Sequence, residues 1–126
     1  RDLDCVAVLA QTADAKWSHL EHPPQVGGPL DAGRFRLDHG LVQVEFFSGA
    51  TAVVEAPADF ELASPMKMVC HLGKIRATVP RQAHGFRIET PKYTAVDLGT
   101  EFTVHVGPDG ESEIHVAGFS QLQMAS

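Results

Sequence analysis

The sequence predicts an all-β domain of about ten short strands with glycine corners, joined mostly as antiparallel hairpins. Jelly-roll-like, barrel-like and short solenoid-like arrangements all satisfy the pattern. Two observations support this fold class. Apolar and polar residues alternate with a period of two over many short runs. The 11 glycines and 8 prolines fall mostly between those runs, which favours many turns and few long helices. A glycine precedes an alternating run at Gly33, Gly40, Gly73, Gly85 and Gly118.

The first part of the chain contains an enclosed strand and an irregular segment. Residues 5–9 (CVAVL) are apolar on both faces, as in a strand covered on both sides. Residues 14–17 can form one helical turn, which the prolines of residues 22–24 (HPP) prevent from continuing. We expect Trp17 to fold back on the sheet as a lid, with an exposed recognition aromatic as the alternative.

The middle of the chain alternates regularly. Residues 33–37 and 41–47 read as two strands separated by a turn at residues 38–40, and residues 51–55 form the next strand. Pro57 and Pro65 bracket another short strand. Gly73 then opens a strand over residues 74–79. The side chains expected to share the inner face are Val42, Val44, Phe46, Phe60, Leu62, Met66, Met68, Cys70, Leu72, Ile75, Ala77 and Val79.

Residues 85–106 contain two more alternating runs, and a hairpin follows them. Residues 107–110 (GPDG) fit a type I turn followed by a glycine in the left-handed conformation. This loop pairs residue 107 with residue 111. The resulting register places Phe102 opposite Val116, Val104 opposite Ile114 and His105 opposite Glu113. The large apolar side chains then share one face, so the turn and the pattern agree.

Composition indicates one soluble-type domain with an uneven charge. Ten basic and sixteen acidic residues give a net charge of −6, which argues against a nucleic-acid or anionic-lipid surface. The exception is a basic run that holds half of all Lys and Arg. It reads either as a solvated strand face or as a docking patch for an acidic partner. Its members are Lys74, Arg76, Arg81, Arg87 and Lys92.

The sequence offers little evidence for a catalytic or a metal-binding site. The seven histidines show no HxH or HxxxH spacing, and Cys5 and Cys70 lack zinc-ligand spacing, so we expect no metal and no cofactor. A disulfide between these cysteines stays open. Asp97 and Glu101 can be read as a glycosidase-like carboxylate pair or as turn residues that accept hydrogen bonds from the backbone. No nucleophile or phosphate-loop motif is present, and we expect a non-enzymatic domain with no catalytic residues.

The succession of motifs over residues 26–122, about three quarters of the chain, resembles the FecR-type domain of periplasmic anti-sigma-factor sensors. The likeness is carried most strongly by residues 98–102 (LGTEF) followed by residues 115–116 (HV). The family-motif residues that the resemblance implies to be structural are Gly85, Phe86, Leu98, Gly99, Thr100 and Phe102. The full set of matching pieces is 28–30 (GPL), 33–37 (GRFRL), 47–50 (FSGA), 73–76 (GKIR), 86–91 (FRIETP), 98–102 (LGTEF) and 115–116 (HV). The ending at residues 116–119 (VAGF) departs from the usual glycine-rich one.

The resemblance implies that residues 1–126 are one FecR-like β domain on the extracytoplasmic, periplasmic side of the inner membrane. In that family a cytoplasmic segment binds an extracytoplasmic-function sigma factor, and one membrane helix precedes the periplasmic part. Some members receive their signal from the signalling domain of an outer-membrane TonB-dependent receptor. No stretch here approaches the roughly 20 apolar residues of a membrane span. Because the chain begins with Arg1, we expect a fragment of a longer, membrane-anchored protein.

We therefore expect a sensor or docking domain that relays a cell-surface signal by binding a protein partner and no nucleic acid. The partner is expected to engage a free strand edge or a basic surface at Lys74, Arg76 and Arg87. The alternative function is a carbohydrate-binding or adhesive module that uses Trp17 or Tyr93 as a stacking platform.

Overall fold

The fold was analysed in a computed structural model that describes residues 5–97, 101–117 and 122–125. The predicted all-β class is confirmed, and the one helical feature in these ranges is a 3-10 turn at Arg81–Ala83. No helix in the described ranges is long and apolar enough to span a bilayer. The strands are β1 (Cys5–Trp17), β2 (Pro29–Asp31), β3 (Gly33–Phe46), β4 (Thr51–Ser64), β5 (Lys67–Thr78), β6 (Arg87–Glu89), β7 (Thr94–Asp97), β8 (Glu101–Val106), β9 (Ser112–Ala117) and β10 (Leu122–Ala125).

All of these strands belong to one sheet, which divides at β5. Strands β2, β1, β3, β4 and β5 lie side by side in that order. One edge of β5 pairs with β4. Its other edge pairs with β6 through residues 67–69 and with β8 through residues 73–78. Strand β9 continues beyond β8, and β7 and β10 continue beyond β6. The β5–β6 pairing is parallel, and the other described pairings are antiparallel.

A line of irregularities crosses the four long strands. The pairing shifts between Ala13 and Lys16 in β1, between residues 37 and 41 in β3, between residues 55 and 59 in β4, and across residues 72–74 in β5. Gly40 and Gly73 on this line adopt positive φ angles of 86° and 118°. A Cβ on Gly40 would lie 2.3 Å from the carbonyl oxygen of Ala13, so only glycine fits there. Bulges of this kind bend a strand, and their alignment bends the whole sheet.

The bend separates two leaves. The first leaf consists of residues 5–13, 41–46, 51–55 and 73–78 with β8 and β9. The second consists of residues 16–17, 33–37, 59–64 and 67–72 with β6, β7 and β10. The rings of Phe46 in the first leaf and Phe86, just before β6, lie 4.9 Å apart. The inner faces of the two leaves therefore pack on each other. The largest fully buried side chains are Phe46, Phe60, Phe86, Phe102, Leu9, Leu37, Leu62, Met68, Ile75, Ile88, Val42 and Val44.

Three predicted corners are wrong, because the strands continue through them. The expected turn at residues 38–40 lies inside β3, Pro57 lies inside β4, and Gly73 lies inside β5. The predicted helical turn at residues 14–17 is part of β1, in which Asp14 has a φ of 52°. Four strands are consequently 12–14 residues long. A glycine with positive φ serves a mid-strand bulge as well as a turn, and the two have the same local sequence signature.

The predicted terminal hairpin is confirmed in register. Phe102 pairs with Val116, Val104 with Ile114, and His105 with Glu113. The Gly110 N–H donates to the carbonyl of Gly107 (3.0 Å), and Gly110 has a φ of 87°, as expected for a type I turn followed by a left-handed glycine. Of the predicted inward residues of β5 and of the segment after it, Leu72 is half-buried and the others are buried: Met68, Cys70, Ile75, Ala77 and Val79.

Candidate functional site

Lys74 and Arg76 stand together at the centre of the outer face of the first leaf. They alternate along β5 with the buried Ile75 and Ala77, so both point to solvent. Lys74 has Glu55 of β4 on one side and His105 of β8 on the other. Because β5 is paired along both edges, the two cations are held by a rigid part of the sheet.

The two cations border a shallow depression of about 320 Å³. Its remaining lining comes from β3, β4 and β8. Leu41 is 38% exposed, which makes it one of the few large apolar side chains at the surface. The depression therefore combines two cations with an apolar contact. We call Lys74, Arg76 and the residues that line this depression with them the basic face; the other members are Leu41, Val53, Glu55 and Thr103.

Several outward charges of the second leaf are arranged differently, because they are paired; Arg87 on the same leaf forms no ion pair with a described residue. The Arg34 guanidinium donates two hydrogen bonds to Asp59, each 2.8 Å long. The Lys67 ammonium lies 2.9 Å from a Glu89 carboxylate oxygen. The bidentate hydrogen bonding from Arg34 holds the pKa of the Asp59 carboxyl below its usual range. These side chains satisfy each other and leave little charge for an external partner.

His71 also lies against the Glu61 carboxylate on the second leaf. By contrast, Lys74 and Arg76 form no ion pair with any residue that the structure describes. Glu55 lies opposite Lys74 in the register, yet the two side chains make no charged contact. The donors of the basic face are therefore available to a ligand.

The structure does not bring Arg87 to this surface. Arg87 lies on β6 and pairs with Lys67, seven residues before Lys74 along β5. At 3.3 Å per residue, that separation is on the order of 20 Å. Arg81 lies in the 3-10 turn and is exposed. The basic run of the sequence is thus distributed over both leaves, and Lys74 and Arg76 are the pair that shares one face.

The two aromatic side chains of the carbohydrate hypothesis occupy different places. The Trp17 ring is half-buried, 5.8 Å from Phe35 and 6.5 Å from Phe60; it packs against the core as expected, but from the end of β1 and not as a lid folded back over the sheet. Its outer edge lines a depression of about 540 Å³ with the segment containing Pro23 and Pro24. Tyr93 lies between β6 and β7. Its hydroxyl is buried without a hydrogen-bond partner among the described residues, and burial raises its pKa.

The other titratable side chains that the structure describes form no cluster that indicates a metal or catalytic site. Within residues 5–97, 101–117 and 122–125, no three His, Cys, Asp or Glu side chains are grouped to hold a metal ion. Cys5 and Cys70 are free thiols, and burial raises the pKa of Cys70 to about 12. Glu101 accepts a 3.3 Å hydrogen bond from the Thr78 hydroxyl, whereas the Asp97 side chain lies outside the described part. The carboxylate-pair hypothesis therefore stays a prediction.

The residues that carry the family resemblance are placed as follows. Phe86 and Phe102 are buried in the core. Gly85 has a φ of 97° and turns the chain into β6. Leu98, Gly99 and Thr100 lie outside the described residues. The described members of this group therefore support the fold and do not contribute to the basic face.

Sequence reasoning did not identify the non-basic members of the basic face. The alternation of β4 assigns Val53 and Glu55 to an outer face, and the same signal assigns Thr103 in β8. Which strand lies on each side of β5 depends on long-range pairing, which alternation does not encode. No family model, no curated protein and no solved structure matches this chain.

Proposed function

We propose that this chain is an extracytoplasmic docking domain of an anti-sigma-factor type regulator, and that a protein partner binds the basic face. The order of motifs over residues 26–122 and the all-β fold support the type of domain. One observation supports the position of the site above all. Lys74 and Arg76 lie on one face of β5 without ion pairs to described residues, while Arg34 and Lys67 of the second leaf are paired with carboxylates.

The chemistry of the basic face favours an acidic partner. The chain carries a net charge of −6, so two neighbouring cations without ion pairs to described residues form a local positive patch on an acidic protein. Such a pair accelerates encounter with a partner of opposite charge and fixes its orientation. Leu41 and the half-buried Val53 add apolar area beside the charges. A partner segment that carries carboxylates next to an apolar side chain matches this arrangement.

Binding at the basic face would relay a signal only if the partner binds two states of the regulator with different affinity. The basic face lies on β5, which pairs with strands of both leaves. A partner held there contacts the first leaf through a strand that continues into the second leaf. In this proposal the sigma factor and the membrane are engaged through segments outside these 126 residues, and the domain itself lies on the periplasmic side of the inner membrane.

A charge-reversal experiment in the source organism tests this proposal. The complete gene product is expressed with Lys74→Glu and Arg76→Glu together, and transcripts are compared with those of wild type under inducing and non-inducing conditions. We expect the induced change in a sigma-factor-dependent transcript set to fall at least about tenfold, because four charge units are altered where the partner carries acid.

The matched control is the double variant Arg81→Glu and Arg87→Glu, which makes the same change in net charge away from the basic face. It should respond as wild type, and thermal unfolding of both variants confirms that they fold. An equal loss of response in the two double variants, or no transcript set that depends on the gene, would contradict the proposal. A glycan-array signal that Trp17→Ala abolishes would favour the carbohydrate-binding alternative instead.

A further inference from the structure

Within the part of the chain that the structure describes, the outer edge of β9 is an unpaired strand edge. Among the described residues β9 pairs with β8 alone. The edge strand β2 is three residues long and begins with Pro29, features that discourage further pairing. β9 has six residues without proline or lysine, and its Val116 is 39% exposed. A strand edge of this composition is competent to pair with another strand.

The hairpin determines which backbone groups face that edge. The Gly107 N–H donates to the Glu111 carbonyl (2.8 Å), which closes the hairpin with a hydrogen-bonded pair. Such pairs alternate along an antiparallel ladder, so Glu113 and His115 direct their N–H and C=O groups toward β8. Three residues of β9 therefore direct these groups to the free edge: Ser112, Ile114 and Val116.

We propose that this edge binds a second copy of the chain, with β9 antiparallel to β9 and a two-fold axis beside Ile114. The outward-directed groups then form three hydrogen-bonded pairs with two bonds each, about six bonds in all. Glu113 stands opposite His115 of the partner subunit, and the symmetry repeats this contact. These two residues occupy non-hydrogen-bonded pairs, in which side chains approach most closely. Symmetric, self-complementary contacts are the rule for two-fold dimers.

The pairing of side chains favours this register over its neighbours. A shift by two residues in one direction places Glu113 opposite the partner's Glu113, and like charges directly opposite are unfavourable. A shift in the other direction places His115 opposite the partner's His115. In the proposed register Ile114 contacts the partner's Ile114 on the inner face. This contact extends the apolar row that Val104 and Ile75 begin.

Cysteine cross-linking of the 126-residue chain tests the register, in a Cys5→Ser background that removes the half-exposed native thiol. Ile114→Cys should form an intersubunit disulfide under mild oxidation, because Cα atoms across a hydrogen-bonded pair lie about 5.5 Å apart. Ser112→Cys is the matched control. It is four residues from its own symmetry mate along the strand, roughly 13 Å, and should remain monomeric on a non-reducing gel.

Charge exchange provides a test that does not depend on cysteines. In sedimentation equilibrium, His115→Glu should weaken the dimer about tenfold, because it creates two Glu–Glu contacts. The exchanged double variant Glu113→His with His115→Glu recreates the opposite pairing and should return the dissociation constant to within about twofold of wild type. Thermal unfolding of each variant excludes a loss of folding.

Three results would overturn the proposal. The first is a wild-type chain that stays monomeric up to about 1 mM. The second is a Ser112→Cys cross-link that forms as readily as the Ile114→Cys one, and the third is an exchanged double variant that dimerises as weakly as His115→Glu. The Lys74→Glu, Arg76→Glu chain should still dimerise, since the basic face does not include β9. Failure of dimerisation and failure of partner docking are therefore observed separately.

Discussion

Replacing Gly73 with alanine tests whether the sheet bend depends on close backbone packing. Gly73 has a φ of 118°, a conformation that costs an L-residue roughly 1–2 kcal/mol. A Cβ there would lie 2.8 Å from the Ala58 Cβ and 3.0 Å from the Pro57 carbonyl oxygen, and neither neighbour can rotate away. Overpacking of this kind costs roughly 1–3 kcal/mol. We expect Gly73→Ala to lower the free energy of unfolding by about 2–5 kcal/mol, a large part of the roughly 5–15 kcal/mol typical of a domain.

Gly85→Ala is the matched control for that prediction. Gly85 also has a positive φ, of 97°, but a Cβ on this residue would have the Met66 methyl carbon as its nearest neighbour at 3.6 Å, an ordinary contact. Only the conformational cost of roughly 1–2 kcal/mol should remain. Urea unfolding of wild type and both variants measures the difference, provided that the slope with denaturant is unchanged. If Gly73→Ala loses no more stability than Gly85→Ala, the close-packing argument at the bend is refuted.

Three further predictions concern single side chains. The pKa of Asp59 is lowered in the folded state, so the stabilisation that Arg34 provides should be present above about pH 4 and lost as the pH falls through that pKa. The urea midpoints of wild type and Arg34→Gln should therefore converge in acid. Thiol labelling of the native protein at about pH 8 should modify Cys5 and spare Cys70, whose pKa is about 12; equal labelling would contradict the burial. Phe46→Ala should cost about 3–5 kcal/mol in urea unfolding, and a smaller loss would mean that the leaves collapse into the cavity.

The sequence predicted local pairing well, because local chemistry determines it. The loop at residues 107–110 fixes the hairpin register, and the alternation of β8 and β9 confirms it without reference to the rest of the fold. The inner and outer faces of β5 were likewise predictable on both sides of Gly73. The irregularity at Gly73 moves the buried positions from even-numbered residues (Met68 and Cys70) to odd-numbered ones (Ile75 and Ala77), and the alternation in the sequence shows the same change.

What the sequence could not predict depends on contacts between distant segments. Gly40 is a bulge and not a corner because β1 and β4 pair with β3 on both sides of it. Likewise, Arg87 follows Lys74 closely in the sequence but lies on the second leaf, because the chain leaves β5 and returns as β6 beside its other end. The clustering of Lys and Arg in the sequence therefore predicted one basic surface, whereas the fold distributes these residues over two.

Strand β5 passes through the bend at Gly73 and belongs to both leaves, which has a mechanical consequence. A force applied at Arg76 loads a strand whose neighbours, β4 on one edge and β6 and β8 on the other, are joined to it by backbone hydrogen bonds. Force directed along β5 is shared by these bonds simultaneously and does not peel them apart one after another. Tension applied at the domain surface can thus reach the strands of the opposite leaf while the domain stays folded.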